Sequence, residues 1–231
     1  LCIVVPRVVR EPKQRGVIIQ GIFRSNYVIF GVSLVTNVFG AEEAAAASIL
    51  SAVLVPMYNV LAVIALTVFT GGGKVSLKKT LKSIATNPLI IAALLGVFAS
   101  IIKLRFPAFL ETSLRDVSRL ATPLALIVLG GDFSFRKLKG NMRIAGVTVF
   151  IKLVVIPLVF LPIAVLAGSR GPSLLALALA WETPVAVSSY IMAQQAGADG
   201  ELAGQLVVLS AVCCIPTVFL MIFILQSMAL L

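Results

Sequence analysis

The sequence contains no histidine, and only 9 of its 231 residues are Asp or Glu. Zinc and di-iron centres need clusters of His, Cys and carboxylate ligands, so no metal site is expected. A nucleophilic Ser would lack an imidazole base, and there is no paired-Asp or Glu-rich ligand set, so an enzyme is not expected either. Cysteine is scarce as well. Cys2, Cys213 and Cys214 lie in apolar segments without C-x-x-C spacing and read as small packing residues, with no disulfide. "GGGKVS" (71–76) superficially suggests a phosphate loop. Val68 stands where that loop needs its first glycine, and Val75 where it needs Ser or Thr, so no nucleotide or other cofactor is expected.

What the chain has in excess is apolar surface. Hydrophobic residues make up 60% of it, charged residues only 12%, and the mean hydropathy is +1.10. A soluble core of this size could not hide so much, which makes this an all-α, polytopic membrane protein. A helix needs roughly 20 apolar residues to cross about 30 Å of hydrocarbon. On that measure seven spans are expected, near 18–38, 45–69, 87–104, 119–134, 144–167, 173–195 and 201–229. The chain starts "LCIVVPRVVREPKQ", without an initiator Met, and this stub reads as the end of a helix that begins upstream.

The net charge of +10 is distributed in short clusters between the spans, which fits cytoplasmic loops rather than nucleic-acid binding. Arg7, Arg10, Lys13 and Arg15 precede the first span, Lys74, Lys78, Lys79 and Lys82 follow the second, and Arg136, Lys137, Lys139 and Arg143 follow the fourth. The positive-inside rule puts these three loops in the cytoplasm and the C-terminus outside, although the last inside loop, "AGADGE", is acidic. Asp132 reads as an interfacial residue near Arg136.

An internal repeat is visible. "GAEEAAAASILSAVLVPMYN" from Gly40 parallels "GADGELAGQLVVLSAVCCIPT" from Gly197: Gly-Ala-acid, then Leu-Ser-Ala-Val, then a proline. Extended backward, the alignment pairs "RSNYV" (24–28) with "WETPV" (181–185). Under the loop assignment the two copies enter the membrane from opposite sides. Inverted repeats with interrupted helices at matching positions are the design of many secondary transporters. Residues 1–86 are then the remainder of a first repeat, a stub and two spans, and 87–231 a second repeat of five spans.

The motifs "GIFRSNYVIFGVSL", "VPMYNVLAVIAL", "NPLIIAALLGV", "TPLALIVLGGDF" and "TPVAVSSYIMAQQAGADGELAGQLVVLS", in that order, resemble the bacterial branch of the auxin efflux carrier family. The resemblance implies ten transmembrane helices in an inverted 5+5 repeat, a scaffold and a core domain, and two broken helices that cross in the core. Such a fold is similar to that of bile-acid sodium symporters and sodium/proton antiporters. Bacterial members are associated with malonate, malate and other small carboxylates, and plant members export auxin. By this likeness the chain is N-terminally truncated, starting near the end of the third helix. In one departure, Ser33 stands where relatives commonly carry proline, so the first crossing is expected to be less sharply broken. Glu182 is not demanded by the family pattern.

The candidate site follows from the breaks. Pro184 cannot donate a backbone hydrogen bond and opens the helix near 180–183. Inside a bilayer, an opened helix is tolerated only against protein or a wet cavity, where its amides can hold a carboxylate and its carbonyls a cation. Ser25, Asn26 and Tyr27 occupy the matching position in the first copy; Thr183, Pro184, Val185, Ser188 and Ser189 form the second; Asn59, a turn beyond Pro56, can line the crossing point. These nine are the candidate substrate-binding residues. A simple proline kink with Ser and Thr bonded to their own helix is the competing account, and helix–helix packing competes for Asn59.

Glu182 and Lys152 are the candidate ion-coupling residues, because ionisable groups deep in a span commonly serve ion or proton pathways. Lys152 could also present a positive charge to an anion or replace a coupling sodium ion. Against these stand a Glu182 near the interface or paired with Lys152, and a lysine that snorkels. The expectation is a secondary active transporter of small organic anions in the cytoplasmic membrane, working by alternating access on a proton or sodium gradient. A channel or receptor on the same core is the alternative. The expected partners are the organic anion, the coupling ion and the lipid bilayer, without nucleic acid, and a homodimer is the assembly considered.

Overall fold

The computed structural model describes residues 1–70, 82, 85–86, 88–132 and 135–231, and among them every regular element is helical. The "GGGKVS" loop and the basic cluster Lys74, Lys78 and Lys79 lie outside the described residues, and so do the side chains around Asp132 and Arg136. After a short α1 (Val5–Val8), α2 (Pro12–Phe23) gives way to three non-helical residues, 24–26. A π-helical turn, Val28–Val32, then runs into α3 (Ser33–Phe39). The following helices are α4 (Ala45–Thr70), α5 (Pro88–Ile101), α6 (Ala108–Asp132) and α7 (Phe135–Phe150). A second π-helical turn, Ile151–Val155, joins α7 to α8 (Ile156–Leu166). Helix α9 (Gly171–Glu182), α10 (Ser188–Gln195) and α11 (Gly200–Ser227) complete the chain.

Among the described residues, four stretches are long and apolar enough to cross a membrane: Pro12–Phe39, Ala45–Phe69, Asn141–Leu166 and Gly200–Ser227. They coincide with the first, second, fifth and seventh expected spans. The other three differ in form. The stretch expected at 87–104 is the 14-residue α5. That at 119–134 is the apolar end of α6, whose first half is charged and laced by Arg115–Glu111 (3.2 Å) and Arg119–Asp116 (3.8 Å) ion pairs, so the helix starts well before its apolar run. That at 173–195 is two helices with an irregular joint over 183–187.

The halves that lead into the two breaks lie inside, whereas Val28, Ile29 and Phe30 just beyond the first break are exposed. In α2 all residues from Gly16 to Ile22 are buried, and in α9 so are Leu174, Leu175, Ala176, Ala178, Leu179 and Ala180. By contrast α4, α8 and α11 each turn an apolar face outward: Ile49 and Val53, Leu158 and Val159, Ile215 and Phe219. Such faces suit lipid, whereas loosened backbone is tolerable at membrane depth only where protein covers it.

Helix α2 lies along α4, and Gly16 lets the two backbones approach. A Cβ there would fall 2.8 Å from the Ala65 carbonyl oxygen. At its start Gln14 donates to Asp199 (3.0 Å) and Asn141 (3.2 Å), tying α2 to the beginnings of α11 and the Asn141–Leu166 span. Asp199 also caps α11 by accepting from the Leu202 amide (2.9 Å). The two glycines aligned by the sequence repeat, Gly40 after α3 and Gly197 after α10, both have positive φ (95° and 67°), a conformation that glycine adopts without a Cβ penalty.

Candidate functional site

The two irregular joints arise differently. Proline at position 184 disfavours helical geometry at the residue before it, and Thr183 is extended (φ −71°, ψ 155°), which ends α9 at Glu182. No proline stands near 24–26. Arg24 is nevertheless extended (φ −80°, ψ 131°), and the joint is held by its partner across the fold. The Asn26 amide donates to the Pro184 carbonyl at 2.8 Å. Ser25 Oγ lies 2.6 Å from Thr183 Oγ1, where either hydroxyl can donate, and 3.2 Å from the Thr183 carbonyl oxygen. The two breaks therefore meet. The first break covers three residues and the second five.

Neighbouring helices lock this crossing. Tyr58 on α4 donates to the Ala180 carbonyl (3.1 Å), Gln20 on α2 to the Ser189 carbonyl (3.1 Å), and the Val185 amide to Ser210 Oγ on α11 (2.9 Å). Lys152 is 0% exposed, carried in by the second π-helical turn. Its ammonium donates to the Arg24 carbonyl at 3.0 Å and reaches the Trp181 carbonyl at 3.5 Å. These carbonyls lie at the C-terminal ends of α2 and α9, where helix dipoles and unpaired acceptors favour positive charge. Lys152 thus points inward instead of snorkelling, and it forms no salt bridge with Glu182.

Beside the crossing is a cavity of about 190 Å³ whose wall is mostly apolar surface, with Arg24, Ser25, Asn26, Tyr27, Asn59 and Ser188 supplying its polar groups. The structure thus brings five of the nine candidate binding residues to one cavity. Thr183, Pro184, Val185 and Ser189 are buried at the joint, outside that lining. The amides at the breaks expected to receive a carboxylate are already engaged within the protein, Asn26 with the Pro184 carbonyl, Thr183 with the Leu179 carbonyl and Val185 with Ser210. Glu182, 3% exposed, lies elsewhere. It lines a larger cleft of about 650 Å³ in which it and Thr217 are the polar residues among apolar ones such as Leu153, Pro157 and Met221. Glu182 Oε2, Tyr27 OH and Ser189 Oγ are buried without a partner among the described residues.

Sequence reasoning missed Arg24. Its guanidinium, on a residue 4% exposed, donates to Asn59 Oδ1 (2.7 Å), Ser188 Oγ (2.8 Å) and Met192 Sδ (2.6 Å), tying the first break to α4 and α10. The available signal was an arginine inside a span with no acidic residue within a helical turn on either side. The buried Gln20, Tyr58 and Ser210 were also overlooked.

Comparisons with the curated proteins and with the solved structures each find no match. Residues 73–222, well over half the chain, match a family model described as membrane transport protein. The second break, Lys152 and Glu182 fall inside the matched stretch and the first break precedes it. Transport across a membrane is what membership implies, in a family of transporters rather than enzymes. The described residues, helical in every regular element and with four membrane-length apolar helices among them, agree with that match, and the chain belongs to the membrane transport protein family, that of the auxin efflux carriers.

Proposed function

We infer that the chain is a secondary active transporter that moves small organic anions, mono- or dicarboxylates, across the cytoplasmic membrane by alternating access. The observation that carries this reading is the meeting of two interrupted helices, Asn26 amide to Pro184 carbonyl and Ser25 to Thr183, beside a cavity that gathers polar groups within an otherwise apolar bundle. Loosened backbone at membrane depth is expensive, and transporter folds retain it where substrate and ions bind. The cavity offers hydroxyls, amides and a guanidinium, donors suited to a carboxylate. Its residues Ser25, Asn26, Tyr27, Asn59 and Ser188 contact the substrate; Thr183, Pro184, Val185 and Ser189 keep the joint open.

Coupling to an ion gradient is assigned to Lys152 and Glu182. Lys152 supplies a fixed positive charge between two helix C-termini, the position at which a coupling cation would bind. Glu182, an acid in an apolar cleft, is placed to exchange a proton or sodium ion. Proteoliposomes carrying the full protein test the reading. A carrier gives saturable uptake of a radiolabelled carboxylate, driven by a proton or sodium gradient, and counterflow when loaded with unlabelled substrate. Unsaturable conductance without counterflow would make it a pore, and binding without uptake a receptor.

A further inference from the structure

Two basic side chains are buried at the crossing, and among the described residues neither has a carboxylate partner. Among the described residues Arg24 is bonded to neutral groups, Asn59, Ser188 and Met192, and Lys152 to main-chain carbonyls. The salt bridges among the described residues, Arg115–Glu111 and Arg119–Asp116, are both on exposed α6. Glu182 lines the other cleft. A buried ion without a counter-ion is costly, so a protein that keeps one at membrane depth normally gives it an opposite charge during function.

The guanidinium of Arg24 faces the cavity, and its orientation is set from outside. Asn59 Oδ1 and Ser188 Oγ both accept from Nη2, and Met192 Sδ accepts from Nη1. With Asn59 and Ser188 taking both Nη2 hydrogens, the guanidinium can meet a carboxylate through a single charge-assisted N–H contact rather than through a paired fork. The backbone amides of Asn26 and Val185 are already taken, which leaves the side-chain cation as the strongest donor available in the cavity.

We propose that Arg24 is the anion anchor of the transport site: its guanidinium binds the carboxylate head of the substrate in the 190 Å³ cavity, with Asn59 and Ser188 holding the guanidinium in place. This rests on the carrier reading above and assigns the recognition step to a charge where half-helix amides would otherwise serve. Lys152, bonded to the Arg24 carbonyl, adds to the positive field without touching the substrate.

The test uses the full protein in detergent, with acetate, malonate and succinate as probes against acetamide, malonamide and succinamide. At least one carboxylate should raise the melting temperature of the wild type, and its uncharged amide should not. Arg24→Gln should abolish that shift and raise the KM for uptake of the same carboxylate by about 10- to 100-fold, the loss of one charge-assisted contact. Arg24→Lys should weaken binding but still prefer carboxylate over amide. It serves as the readout if Arg24→Gln does not fold, since a purely structural pin would give no charge preference. The proposal is overturned if no carboxylate stabilises the wild type, if Arg24→Gln responds to carboxylate as the wild type does, or if Arg24→Lys treats carboxylate and amide alike. Carboxylate uptake with unchanged KM in Arg24→Gln would leave the carrier reading standing and remove only the anchor. Absence of any carboxylate uptake by the wild type would count against the carrier reading itself.

Discussion

Replacing Ser25 by Ala removes a hydroxyl that sits 2.6 Å from Thr183 Oγ1 and 3.2 Å from the Thr183 carbonyl oxygen. Thr183 is 0% exposed, so water cannot take the place of the lost partner. A buried polar atom left without a hydrogen bond costs about 1–3 kcal/mol. Thr183→Val is milder, about 0.5–1.5 kcal/mol, because Ser25 keeps the carbonyl oxygen as an acceptor. In the double variant both hydroxyls are gone and apolar groups face each other, a replacement that can be nearly neutral. The two losses should therefore not add: the double variant should be more stable than their sum by about 1 kcal/mol. Thermal unfolding of the four proteins in one detergent measures this. At about 2–4 °C per kcal/mol for a chain of this length, Ser25→Ala should melt roughly 2–12 °C below the wild type. Additivity within about 0.5 kcal/mol would mean that the hydroxyls do not meet, and the crossing geometry would be wrong.

Gly16→Ala would place a Cβ 2.8 Å from the Ala65 carbonyl oxygen and 3.0 Å from Leu66 Cα, both backbone atoms. It should destabilise by about 1–3 kcal/mol in a melting experiment. The same change at Gly21 meets the tip of the Leu206 side chain, which can turn aside, and should be milder. Tyr58→Phe loses the donor to the Ala180 carbonyl, 3.1 Å away, and should lower stability by about 0.5–1.5 kcal/mol in the same assay. Lys152→Met withdraws the ammonium from the ends of α2 and α9, at about 1.5–3 kcal/mol for a bond to a charged donor, and should slow proteoliposome uptake. Lys152→Arg should retain more of that uptake.

What could be read ahead of the structure follows the range of the forces involved. The second break is local chemistry, since Pro184 and its effect on Thr183 are written in four residues. The first break has no such cause. Its signal was the aligned repeat, and its physical cause is a hydrogen bond from Asn26 to Pro184, far apart in sequence. Counting apolar residues located four long helices but misjudged α6, because ion pairs extend that helix into charged sequence that a hydropathy measure leaves out. Both π-helical turns were invisible to periodicity, although one directly follows the first break and the other carries Lys152 to its carbonyls. Glu182 and Lys152 were grouped as ion-coupling candidates by residue type, with a pair between them as the competing account. They form no salt bridge, because side-chain direction around a broken helix depends on packing that no sequence spacing encodes.

The meeting of the two interrupted helices is most directly tested by a cysteine pair, Ser25→Cys with Thr183→Cys, in a background where Cys2, Cys213 and Cys214 are serine. Side-chain oxygens 2.6 Å apart put the replacement sulfurs within bonding reach. Mild oxidation of the protein in membranes should give a 25–183 disulfide, detected by mass spectrometry of the digested chain. Two thiols that stay reduced and separately reactive towards a membrane-permeant maleimide would show that the breaks do not touch.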